Sequence, residues 1–173
     1  MFIKLKNTNM EEKMEYKTNF LKKVITSIYD IKVFSKYAKE GIFKSILYIM
    51  LLTLILVGVK DTFIGYKTNN IEVLSFIYII GIDFGMRFLN LLFNCLIVVM
   101  SASLLSILMK MVVKYTALYS VTLYAATLPL IIQTILESVN PDISFDTMFI
   151  IGTLTYVILI LKYIKDEIIK NVN

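Results

Sequence analysis

The chain has 173 residues, 58% of them hydrophobic and 18% charged, with a net charge of +5 and a mean hydropathy of +0.76. Soluble domains run near ~45–50% apolar and ~25% charged, so a soluble enzyme, a disordered chain and a collagen-like fibre are excluded. With no His, no Trp and one Cys, zinc sites built on Cys and His, a Ser-His-Asp triad, a disulfide framework and iron–sulfur sites are excluded or short of ligands.

Residues 1–19 carry Glu11, Glu12, Glu15 and four Lys with no small-residue cleavage pattern, which predicts a polar cytoplasmic tail and not a signal peptide. Residues 20–41 change character. Phe20, Val24, Ile28, Ile31 and Phe34 recur at spacings of four and three, while Lys22, Lys23, Lys32, Lys36 and Lys39 fall largely elsewhere. That pattern predicts an amphipathic interfacial helix whose apolar side, Phe20, Val24, Ile28 and Ile31, lies at the membrane surface.

Four apolar blocks follow, and a bilayer core requires about 20 apolar residues of a helix. The first predicted span is 42–59, with Lys44 able to snorkel. Lys60-Asp61 ends it, and a polar loop with Lys67, Thr68, Asn69 and Asn70 comes next. Residues 71–109 run largely apolar, interrupted by Asp83 and Arg87; one helix of that length would reach about 58 Å, twice the core thickness. A second span over 87–109, with 71–86 as an outer interfacial or re-entrant piece, puts Lys110 and Lys114 beside the Lys-rich amino terminus, as the positive-inside tendency favours. The third span, 118–136, contains Pro129, which removes a backbone donor and predicts a kink. Glu137, Asp142 and Asp146 form an acidic outer turn around Asn140-Pro141. The fourth span is 147–161, followed by a cytoplasmic tail, 162–173, with Lys162, Lys165 and Lys170. The expected fold is all-α: a polytopic integral membrane protein of four transmembrane helices preceded by an interfacial helix, with both termini cytoplasmic. Residues encoded by A/T-rich codons are abundant, which points to a bacterial cytoplasmic membrane.

Polar groups facing lipid are costly, so those within the spans should point into the bundle. Asp83, Arg87, Asn90, Asn94 and Ser101 fall in one line at helical spacing on the second span, and Gln133 and Glu137 share a side of the third. They are expected to form interhelical contacts; the functional alternative is a polar path or a small ligand pocket. For Arg87, the lone Arg of the chain, Asp83 one turn away and Glu137 across helices are the carboxylate candidates. No catalytic, cofactor-binding or metal-ligating set emerges. Cys95 reads as a small apolar residue, and no glycine-rich phosphate motif is present. The Lys residues flank apolar blocks, so the expected partners are the bilayer and other membrane proteins or further copies of the chain, and not nucleic acid.

The run FLKKVITSIYDIKVFSKYAKEGIFKSILYIMLLTLIL, and the later LLSILMKMVVKYTALYSVTLYAATLPLIIQTIL with its Thr127-Leu128-Pro129 element, resemble the DUF1189 family of uncharacterised bacterial membrane proteins, related to the Yip1-like group. The resemblance spans most of residues 20–161. It implies a multi-span membrane architecture and carries no activity. Members commonly have a larger extracytoplasmic domain between the first two spans, where this chain has only Lys60–Met86. The expected function is that of a small, non-enzymatic accessory or interaction protein. The alternative is a small-solute transporter or channel subunit using the polar faces of the second and third spans.

Overall fold

A computed structural model describes residues 3–4, 19–65 and 73–172. The polar loop Lys67–Asn70 and nearly all of the amino-terminal tail lie outside the described residues. The lead-in is a helix α1 (Phe20–Tyr29), a 3-10 turn (Ile31–Val33) and a short helix α2 (Phe34–Tyr37). Then come α3 (Ile42–Gly65), α4 (Val73–Leu108), α5 (Tyr115–Ala125), α6 (Thr127–Val139) and α7 (Asp146–Val172). The described strands are two-residue pieces, Ile3–Lys4 paired in parallel with Met111–Val112. The protein is thus all-α, with three helices long and apolar enough to cross a membrane and a fourth crossing if the bent pair α5–α6 counts as one.

Successive long helices run antiparallel. One end of the bundle holds the lead-in, the α4–α5 connection and the end of α7; the other holds the end of α3, the start of α4 and the α6–α7 turn. Large side chains such as Phe43, Leu54, Phe93, Leu104 and Ile151 are exposed, which suits a bundle solvated by hydrocarbon. Lipid is as apolar as Leu, so close packing and interhelical hydrogen bonds hold such helices together. Small buried residues, Cys95, Ala102, Ala125 and Ala126, allow that close approach.

The second span differs from the expected one. α4 is unbroken from Val73 to Leu108, and Ile80–Leu108 is long and apolar enough to cross a membrane, so the span begins before Arg87. Residues 73–108 contain no Pro, and isolated Gly81 and Gly85 are tolerated within a helix. Asp83 and Arg87 face each other one turn apart and so support the helix they were expected to interrupt. Residues 73–86 are therefore continuous with the helix of the second span and form no separate element. Likewise α7 continues through the expected tail to Val172.

The third span breaks at Ala126, and α5 and α6 meet at 42°. Pro129 has no N–H for the carbonyl one turn earlier, and its ring crowds that carbonyl. The hydroxyl of Thr127 donates to the Tyr124 carbonyl at 2.7 Å, satisfying one acceptor at the break. The bend decides what α6 touches. α5 packs on α3, α4 and α7, whereas α6 packs on α3 and α7 and has little contact with α4.

The lead-in also corrects the sequence reading. Phe20, Val24 and Ile31 pack on the bundle core, and Ile28 is half-buried. The outward row is Leu21, Ile25 and Tyr29, offset by one residue. α1 lies across the α5–α6 junction and is pinned there by polar contacts. The Lys23 ammonium donates to both oxygens of Glu40 at 2.9 and 2.7 Å, and the Tyr124 hydroxyl donates to Glu40 at 2.5 Å. Tyr37 stacks on Tyr124 at 4.3 Å, and Tyr156 donates to the Ser27 carbonyl at 3.1 Å. A hydrophobic row alone would have suited lipid; these bonds make protein the better partner for the Phe20 side.

Replacing Glu40 with Ala strips Lys23 and Tyr124 of a shared, largely enclosed acceptor. The bundle should lose on the order of 2 kcal/mol, read as a lower unfolding temperature in detergent, whereas exposed Lys39→Ala should change little. Equal transitions for the two variants would show that the lead-in is not docked.

Candidate functional site

The bend at Pro129 parts the polar residues of the third span. Ser120, Tyr124 and Thr127 are buried toward the lead-in, where Ser120 bonds Ser45 and Tyr48 bonds Thr127. Gln133 and Glu137 go with α6 to the other end. There they face α4 across the gap that the bend leaves.

Arg87 is the centre of that end. Its Nε donates to Asp83 at 2.6 Å and its Nη1 to Glu137 at 2.5 Å. Arg suits this bridging position because its planar guanidinium presents several N–H groups in fixed directions. The ammonium of Lys60, from α3, lies 3.7 Å from the same Glu137 oxygen. The Gln133 amide then connects two carboxylates, donating to Glu137 at 2.9 Å and to Asp146 at 3.0 Å. Asp146 Oδ1 also accepts from Asn90 at 3.1 Å and, weakly, from Asn94 at 3.5 Å. Ser144 donates to the other Asp146 oxygen at 2.8 Å. Asp146 opens α7, where a negative charge is favourable against the helix dipole.

Asp83, Arg87, Asn90, Asn94, Gln133 and Glu137 therefore belong to one connected network. The sequence reading missed Asp146 and Lys60 as its members. The sequence assigns Lys60 only to the end of the first span and Asp146 only to the acidic outer turn. Their common signal is depth: each lies at the span end that also holds Arg87 and Glu137.

The network borders a cavity of about 680 Å³ lined by α3, α4, α6 and residues 141–146. Leu56, Val57, Leu91 and Leu130 contribute to its apolar part. The polar line of α4 does not continue across the bundle. Cys95, Val98, Val99 and Ala102 are fully buried, packed in one core with Ile49, Leu123, Ala126 and Phe149. Ser101, beyond them, donates to the Ile97 carbonyl of its own helix. The cavity thus lies at one end of the bundle, and an apolar layer separates it from the other end. Among the described residues no group of three or more His, Cys, Asp or Glu is placed to hold a metal ion. The arrangement can hold a ligand by charge and hydrogen bonds.

Arg87 and Glu137 should couple energetically. In a double-mutant cycle with Arg87→Gln and Glu137→Gln, measured as stability in detergent, the coupling should be about 1 kcal/mol. Lys60 and Gln133 still partner Glu137 when Arg87 is lost, so Lys60→Met should raise the measured coupling. Additive single effects in both backgrounds would reject the pair.

A family model described as a protein of unknown function, DUF1189, matches residues 21–73 and 61–161. No curated protein matches the chain, and no solved structure does.

Proposed function

The chain belongs to the DUF1189 family, and on that footing we propose that it is a non-enzymatic, multi-pass membrane protein that works by binding, in an accessory role beside other membrane proteins or further copies of itself. The observation that carries this reading is the confinement of the cavity to one end of the bundle. A charged and amide-lined chamber occupies one half of the bundle, and a buried apolar layer separates it from the other half. A conducting pore would need polar or roomy passage through that layer. A binding protein needs only the chamber.

Orientation follows from charge. Lys22, Lys32, Lys36, Lys39, Lys44, Lys110, Lys114, Lys162, Lys165 and Lys170 all belong to the lead-in end. At the other end, the described cations Lys60 and Arg87 both sit against carboxylates. The positive-inside tendency then puts the lead-in and both termini in the cytoplasm, with the cavity opening outward. Counting α5–α6 as one crossing gives four spans.

The transporter reading draws on the same cavity and on the bend of the helix that forms its wall. Thiol labelling separates the two. In a Cys95→Ala background, Asn90→Cys should react with a membrane-impermeant maleimide in intact cells. Native Cys95, just past the cavity floor, should stay unreactive in both intact cells and inverted vesicles. Reaction of Cys95 from the cytoplasmic side would mean that the apolar layer opens, and transport would become the better account.

A further inference from the structure

We propose that the cavity takes a primary ammonium group carried on an apolar body. The proposal rests on the binding reading above and adds the chemical class of the ligand.

The charges around the cavity set its sign. Glu137, Asp142 and Asp146 line it together with Lys60 and Arg87. Asp83 sits directly on Arg87. Asp61 interacts electrostatically with Asp83, Lys60 and Arg87, and its Oδ2 is buried with no hydrogen-bond partner among the described residues. Among the described residues, five carboxylates thus face two cations, a formal excess of three negative charges. An anionic ligand would enter against that field, which acts across a low-dielectric wall.

The hydrogen bonds show what kind of group is wanted. Carboxylates only accept, so an amide that faces one must present its NH2. Asn90, Asn94 and Gln133 all do so. Their donors are therefore directed within the wall, and their carbonyl ends are left over. Asn94 and Gln133 are 8% and 9% exposed, and both line the cavity from facing helices. No donor among the described residues reaches either carbonyl oxygen. Neither oxygen is sealed within the protein, so both are open to a donor from the cavity. A ligand N–H can bond them, and an ammonium brings up to three such donors.

The remaining chemistry narrows the class. A quaternary ammonium has the charge but no N–H for the amide oxygens. A neutral alcohol has one donor and no charge. Apolar side chains, including Leu56, Val57, Leu91 and Leu130, line the rest of the cavity and suit an aliphatic body. The volume of about 680 Å³ falls within the ordinary range of small-molecule sites. Two sources present this chemistry: a soluble aliphatic amine, and the headgroup of an aminophospholipid entering from the surrounding leaflet.

The test uses the full-length protein in detergent micelles, titrated with hexylammonium chloride and followed by its unfolding temperature and by calorimetry. Hexylammonium should bind saturably and raise the unfolding temperature; 1-hexanol, hexyltrimethylammonium and hexyl sulfate should bind weakly. Asp146→Asn should weaken hexylammonium binding roughly tenfold, about what one charged hydrogen bond is worth. Asp146 also organises three amides, so a second variant guards against misfolding. Asp142→Lys alters an exposed rim residue with no hydrogen bond to lose, and it should weaken binding while leaving the unliganded unfolding temperature unchanged. Equal binding of hexanol or hexyl sulfate, or full affinity in Asp142→Lys, would overturn the assignment. Nanodiscs then identify the source. Phosphatidylethanolamine, compared with phosphatidylcholine, should lower the apparent affinity for hexylammonium if the lipid headgroup occupies the site; equal affinities assign it to a soluble amine. If Asn90→Cys labels as above but no ammonium binds, the ligand class fails and the binding reading stands.

Discussion

One missing backbone hydrogen bond shapes this bundle. Pro129 cannot donate to the turn before it, and the third crossing bends by 42° at the adjacent break. Up to the break, α5 packs tightly among α3, α4 and α7. Past it, α6 leans away from α4, and a cavity opens between them. In water the exposed backbone would be solvated. In hydrocarbon backbone groups must be satisfied by protein; at the break Thr127 donates back to the Tyr124 carbonyl, and α1 packs over the junction. Gly152 of α7 belongs to the same arrangement, because a Cβ there would meet the Pro129 ring at 3.6 Å.

The bend also separates two kinds of polar chemistry. Toward the lead-in, Lys23, Glu40, Tyr37, Tyr48 and Tyr124 form a packed set in which stacked rings, a salt bridge and hydroxyls satisfy one another. That set fixes the lead-in and leaves no space. At the other end Arg87, Glu137, Gln133 and Asp146 are also bonded together, but around a void. Ion pairs of this kind add little net stability, because desolvation offsets attraction. Their effect is positional: Arg87 and Glu137 fix the relative depth of α4 and α6 where direct packing between those helices is slight.

Much of this was legible from residue order. The apolar blocks announce helices, and Pro129 announces a bend. The cost of polar groups in lipid says that Arg87, Asn94 and Gln133 must face protein. Other features were not legible. Charge can assign residues 71–86 to a side of the membrane, but it does not break a helix that contains no breaker, and α4 runs straight through. In the lead-in, Phe20–Val24 and Leu21–Ile25–Tyr29 are apolar rows about 100° apart on α1. Periodicity finds both and cannot say which meets protein; Glu40, Tyr124 and Tyr156, distant in sequence, decide it. Asp146 and Lys60 join the network for a similar reason. Their roles depend on which helix ends share a depth, and that is a property of the assembled bundle.

The central claim is that the bend at Pro129 holds α6 away from α4 and so creates the cavity. It is tested most directly by the distance across the cavity mouth. Spin labels at Met86→Cys and Val139→Cys, both exposed positions, can be placed in a Cys95→Ala background and measured by pulsed electron resonance in nanodiscs. Replacing Pro129 with Ala restores the missing N–H. The account predicts that this substitution moves the distance distribution to shorter values. A distribution unchanged by Pro129→Ala would contradict it.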